Sequence, residues 1–84
     1  MTKEEYQIAQ ISNDAADELL RATAKFGPFN SAHEGYAVML EEMDELWDEV
    51  KDKNGTSESM RGEAIQIAAM AMRFVIDICD GEKE

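Results

Sequence analysis

Two breaks decide most of what this chain can fold into: Gly27-Pro28 and Asn54-Gly55. Proline lacks a backbone N–H, and glycine costs a helix backbone entropy, so each pair interrupts a helical run. Outside the breaks, apolar residues recur mostly at steps of three and four, which is the spacing of helices. The sequence therefore predicts three helices, with Gly81 near the end of the last, and shows no repeat, low-complexity tract or linker.

The first segment runs from about Lys3 to Lys25. Thr2 followed by Glu5 reads as a capping box, and Ile8, Ile11, Ala15, Leu19, Ala22 and Phe26 mark one apolar face. The second runs from about Ala32 to Asp52. Ser31 and Glu34 form its capping box, Met39, Met43, Leu46 and Val50 its stripe, and Asn54 and Gly55 are expected to end it in left-handed geometry. The third runs from about Glu58 to Asp80. Its apolar residues, among them Ile65, Ile67, Ala71, Met72, Val75 and Ile76, cover most of its circumference. A helix apolar nearly all round is buried nearly all round. Two partner helices can hardly cover it, so a second subunit is expected, giving a dimer or a pair of dimers. The alternative is a monomeric three-helix bundle. The expected fold class is all-α, a single domain over residues 1–84, with a three-helix protomer assembling into a helical-bundle dimer or tetramer.

A chain of 84 residues is near the lower size limit for a lone core, and such chains usually need a disulfide, a metal or oligomerisation. A single cysteine, Cys79, rules out the first and reads as a small buried apolar residue. Lys and Arg total 8 against 19 Asp and Glu, a net charge of -11. Such a surface does not draw DNA, RNA or anionic lipid by counterion release, but it does draw divalent cations. The longest apolar run is far short of a membrane span, and the start MTKEEYQIAQ lacks the form of a signal peptide, so a cytoplasmic location is expected.

The carboxylates are not where solubility alone would put them. Asp44 and Asp48 project away from the apolar stripe of the second helix, as solvated residues should. At about 100° per residue, however, Glu42, Glu45 and Glu49 share a strip that flanks that stripe, with Glu41 just beyond. The third helix carries one narrow polar line, Glu63, Gln66, Arg73 and Asp77, that needs a polar partner. Two carboxylates about 5 Å apart at an effective dielectric near 20 repel by roughly 3 kcal/mol. The cluster must protonate, stay wet or bind cations, and Mg²⁺ or Mn²⁺ fits best as a hard ion that favours oxygen. The plain alternative is a solvated face paired to lysine. Lys51 and Lys53 are too few and too far along to neutralise it.

EEMDELWDEV, followed after a break by GEAIQIAAMAMRFVIDI, resembles the MazG-like all-α nucleoside triphosphate pyrophosphohydrolase superfamily over about residues 31 to 80. The family pattern is EExxE on one helix and ExxD on the next. Glu41, Glu42 and Glu45 match the first part and Glu63 opens the second. The resemblance implies cleavage between the α- and β-phosphates of a nucleoside triphosphate, with Mg²⁺ bridging carboxylates and phosphates, and a dimer or tetramer. It implies Glu42, Glu45 and Glu63 as metal ligands and Glu41 as the residue that holds or activates water. Gln66 stands where the pattern has aspartate; its carbonyl can ligate but brings no charge, which predicts weaker metal binding or one ion fewer. Asp77 lies about 16 Å further along the helix and cannot simply replace it. Many relatives carry a further helix, and compact versions occur in phage genomes.

Arg73 is a candidate phosphate contact, with a structural pair to Asp77 as its other reading. Lys51, beside the second break, is also a candidate phosphate contact, and with Lys53 and Arg61 is otherwise solvated. Trp47 and Tyr36 read as core or interface residues, His33 as a surface residue, and Phe26 and Phe29 as anchors of the Gly27-Pro28 turn. DKNGTSES fails as a calcium loop, because its first and twelfth positions would be Val50 and Arg61. The function classes left open are a metal-dependent nucleotide pyrophosphohydrolase, a non-catalytic relative that binds nucleotide or protein, and an acidic interaction module.

Overall fold

The protein is described from a computed structural model, which covers residues 1–81. It contains three helices and no strand among these residues: α1 (Lys3–Phe26), α2 (Ala32–Lys51) and α3 (Ser57–Phe74). The last of these continues into a π-helical turn, Val75–Cys79.

Local chemistry sets each boundary. The α1 capping box forms as expected: Glu5 N–H donates to Thr2 Oγ1 at 3.1 Å and Thr2 N–H donates to Glu5 Oε1 at 2.7 Å. That backbone bond holds the Glu5 carboxyl below its ordinary value. Gly27 ends α1 with φ 76°, and its N–H still reaches Thr23 O at 2.9 Å. Ser31 caps α2 by accepting from Glu34 N–H at 3.1 Å. Its box is displaced by one residue, for the Glu34 carboxylate accepts from Asn30 N–H at 2.6 Å instead. Thr56 and Ser59 form a reciprocal cap on α3 that the sequence reading did not include.

The end of α2 differs from the left-handed termination expected at Asn54 and Gly55. No residue there has positive φ; Asp52 leaves the helix in extended geometry, φ -76° and ψ 124°. Its carboxylate then accepts from Asn54 N–H at 2.9 Å, and its carbonyl accepts from Gly55 N–H at 3.0 Å. Glycine is needed at 55 for space, because a Cβ would sit 2.4 Å from Glu49 O.

The centre of the fold is α3, against which α1 and α2 both pack, while those two scarcely meet. Leu19, Phe29, Ala69 and Met70 form the buried core, with Ala22, Val38, Met39, Phe74 and Ile78 around it. Gly35 lets α2 close on α3: a Cβ would lie 2.7 Å from Phe74 Cδ2 and 3.0 Å from Phe29 Cδ2. A buried polar clamp ties the far end together. Arg73 donates to Asp77 Oδ1 at 2.9 Å and also to Thr23 Oγ1, and Asp77 Oδ2 accepts from Phe29 N–H at 2.8 Å. Three segments thus converge on one ion pair: α1, the turn after Gly27-Pro28, and the last turns of α3.

Several residues expected inside lie outside in the single chain. Ile8, Ile11 and Phe26 of α1 are exposed, because α1 has only α3 to lie on. Met43 and Val50 are exposed beside Tyr36, Leu40 and Trp47. These five are spaced four, three, four and three apart, so they form a second apolar seam on α2 that turns away from α3. On the outer side of α3, Met72, Val75 and Ile76 are exposed, as is Cys79, which is therefore not the buried residue expected. Of the two aromatic residues that bracket Gly27-Pro28, Phe29 anchors the turn in the core and Phe26 does not. His33 is exposed in the first turn of α2, as expected. No helix among the described residues is long and apolar enough to cross a membrane.

Candidate metal centre

Because α1 and α2 diverge across α3, a cleft of about 610 Å³ opens between them, floored by Gln66, Met70 and Arg73. Its acidic wall is the glutamate strip of α2. The helical period that puts Gly35, Val38 and Met39 against the core carries Glu42 to the edge of the contact, where it is half-buried. Glu63, in the second turn of α3, meets it there. Glu42, Glu45 and Glu63 each offer a carboxylate oxygen, and these oxygens lie within 4.8 Å of one another. Two helices thus supply one cluster, as their polar lines implied.

The electrostatics are those of a site short of positive charge. Burial first, then the nearby Glu45, Glu63, Glu18 and Glu41 carboxylates, push the Glu42 carboxyl above its ordinary value. Burial, Glu45 and Glu49 do the same to Glu63. Glu42 Oε2 is buried and has no hydrogen-bond partner. An oxygen without a donor among the described residues, on a residue clustered with two further carboxylates, is a position that a cation satisfies. The residues present could therefore hold a metal ion.

The remaining candidates divide. Glu41 is exposed on the cleft wall beside Glu42. Gln66 is half-buried on the cleft floor, one turn beyond Glu63, and is not among the three clustered carboxylates. Arg73 reaches the cleft floor, and its guanidinium is engaged by Asp77 and Thr23, the structural pairing that is the other reading of this residue. Lys51 does not line the cleft; its Nζ lies 3.5 Å from Asp48 and 6.0 Å from the Trp47 ring centre.

Glu18 was not singled out from the sequence. It comes from α1, lines the cleft and faces Glu42 closely enough to raise its pKa. Its only signal is position: it neighbours the buried Leu19, on the same side of the helix as Ala15 and Ala22. Arg21 and Lys25 follow it at steps of three and four along the same flank.

Comparison with protein-family models, curated proteins and solved structures found no match to this chain. The class defined by fold and site rests on geometry alone: an all-α protein whose second and third helices share a cluster of carboxylates able to hold a metal ion.

Proposed function

We propose that this protein is a divalent-metal-dependent nucleoside triphosphate pyrophosphohydrolase of the MazG-like kind, converting a triphosphate and water to a monophosphate and pyrophosphate. The observation that carries the reading is the convergence of Glu42, Glu45 and Glu63 within 4.8 Å, with one Glu42 oxygen buried and unpaired. In this reading those three residues hold Mg²⁺ or Mn²⁺, and Gln66 offers a neutral carbonyl from the floor. The bound ion supplies polarisation of a phosphoryl oxygen and removes the repulsion between an anionic substrate and an anionic site. Glu41, unburied and next to the cluster, accepts a proton from the water that attacks phosphorus.

Assembly with a second copy belongs to the same reading. A monomer of 9.4 kDa is expected to expose about 5,000 Å². This chain exposes 6202 Å². The excess, roughly 1,200 Å², is more than each partner of a stable interface commonly buries. The α2 seam and the outer face of α3 supply apolar surface for it, and a spacing near 3.5 residues suits an α-helical partner.

Release of pyrophosphate from a nucleotide panel, with Mg²⁺ and with Mn²⁺, tests the proposal. We expect release that stops with chelator and is lost in Glu42→Gln and Glu45→Gln without unfolding. One observation favours a second reading. Gln66 leaves the floor without the fourth charge, so a relative that binds nucleotide and turns it over slowly or not at all has a physical basis. Metal-dependent thermal stabilisation by nucleotide, without product, marks that case. A rise in turnover in Gln66→Asp separates weakened catalysis from none.

A further inference from the structure

The α1 wall of the cleft, opposite the α2 glutamates, carries two cations beside Glu18. The chain has 8 basic residues against 19 acidic ones, yet Arg21, Lys25 and Arg73 all line this one cleft. Arg73 is neutralised within its buried clamp. Arg21 and Lys25 are not held in this way. The Arg21 side chain is 72% exposed, although its partner Glu18 is only 14% exposed. Lys25 Nζ stands 5.1 Å from the ring centre of Phe26, which is itself 77% exposed at the mouth of the cleft. Two exposed cations, four residues apart on α1, thus line the cleft with the α2 carboxylates, with an exposed aromatic ring beside them.

We propose that Arg21 and Lys25 are the anion-binding wall of the cleft, gripping the phosphate chain of a triphosphate whose other side meets metal held by the glutamates. This rests on the reading of Glu42, Glu45 and Glu63 as a metal centre, and it replaces Lys51 and Arg73 as phosphate contacts. An anion between the walls separates charges that would otherwise be unbalanced: three clustered carboxylates and an ion on one side, two cations on the other. Arg21, largely exposed and anchored on one side by Glu18, turns its remaining N–H donors to phosphate oxygens, a contact that a planar guanidinium favours. Lys25 adds a point charge one turn on. Phe26 offers a face on which a base can stack, whereas an inorganic phosphate chain would leave it bare.

The test uses the full chain with Mn²⁺ and two probes, an α,β-methylene nucleoside triphosphate that resists cleavage and inorganic tripolyphosphate. Mn²⁺ binding alone is titrated first, then each probe onto the Mn²⁺-loaded protein. Arg21→Ala and Lys25→Ala are each expected to weaken probe binding by about tenfold, as loss of a charge-assisted contact does. In Lys25→Ala, Mn²⁺ affinity and the melting temperature without ligand stay near wild type, and Arg21→Lys, which keeps a cation beside Glu18, recovers part of the Arg21→Ala loss in probe binding. Tighter binding of the nucleoside probe assigns the wall to nucleotides; equal or tighter binding of tripolyphosphate assigns it to the phosphate chain alone, and either supports the proposal. Variants that bind Mn²⁺ and both probes as wild type does overturn the anion wall and leave the metal centre standing. A wild type that binds Mn²⁺ but neither probe does the same, and one that binds neither Mn²⁺ nor probe overturns both.

Discussion

Glu42 is the residue on which the site turns. It is raised by burial and by four carboxylate neighbours, and one of its oxygens lacks a donor. The metal-free protein therefore carries a local cost when Glu42 is ionised. Glu42→Gln removes the charge while keeping the shape. We expect the metal-free variant to melt several degrees higher, consistent with roughly 1 kcal/mol gained in a small domain. We also expect it to bind Mn²⁺ at least about tenfold more weakly, read by calorimetric titration. The pH dependence follows the same direction. Glu42 and Glu63 have folded pKa values above their unfolded ones, so the native state holds more protons through that interval. Stability without metal should fall as pH rises from the ordinary carboxylate range through the raised values, and recover as pH is lowered again. Glu5, lowered by its cap, acts in the opposite sense, with its contribution lost as pH falls. Mn²⁺ affinity should rise with pH over the interval set by Glu42 and Glu63, because ligands bind as carboxylates. Melting curves across pH, with and without Mn²⁺, check both slopes; an unchanged Mn²⁺ affinity would remove these two residues from the ligand set.

At the scale of elements, the site depends on how closely α2 approaches α3. Gly35 sets that distance, with Phe74 and Phe29 against its face. Gly35→Ala forces the Phe74 ring aside, and overpacking of this kind costs about 1–3 kcal/mol. The expected outcome is a lower melting temperature together with weaker Mn²⁺ binding, since Glu63 moves with α3 and Glu42 with α2. The Arg73–Asp77 clamp acts on a different part of the fold. Removing one partner of a buried pair costs about 3–5 kcal/mol, so Arg73→Ala is expected to unfold the marginal single chain or nearly so, as circular dichroism melting will show. How far these elements were legible follows from where their determinants lie. The caps at Thr2 and Ser31 and the two breaks are local, so helix positions could be read from neighbouring residues. The Glu42–Glu45–Glu63 convergence was legible because two polar lines on apolar helices needed each other. The role of Gly35 was not, because its clash partners are 39 and 6 residues away in sequence. The end of α2 was misjudged for a similar reason: the close approach of Glu49 O, not a left-handed turn, demands Gly55. Glu18, Arg21 and Lys25 went unnoticed because nothing in α1 alone says which flank will face α2.

The whole molecule is a thin core under a large surface. Besides those of α1, its exposed apolar residues lie on faces that point away from that core: Tyr36, Leu40, Met43, Trp47 and Val50 on α2, Met72 on α3, and Val75 and Ile76 in the π-helical turn that continues it. Sequence reasoning reached the surplus on α3 by counting apolar residues around the helix. The surplus on α2 was hidden because Met43 and Val50 were assigned inward, and only the tilt of α2 on α3 shows that they face out. If a second copy covers these faces, the melting temperature rises with protein concentration and sedimentation gives a mass of at least twice the protomer. Val75→Asp with Met43→Asp should yield a monomer that is less stable. A wild-type chain that sediments as a monomer at all concentrations contradicts the assembly. The net charge of -11 works against association as well as against compaction. Divalent cation at the glutamate cluster is therefore expected to favour both. The most direct measurement is titration of Mn²⁺ into wild type, Glu45→Gln and Glu63→Gln, one substitution on each of the two helices. Saturable binding lost alike from both variants is the result expected if α2 and α3 share one ion. Wild-type affinity in either variant would contradict it.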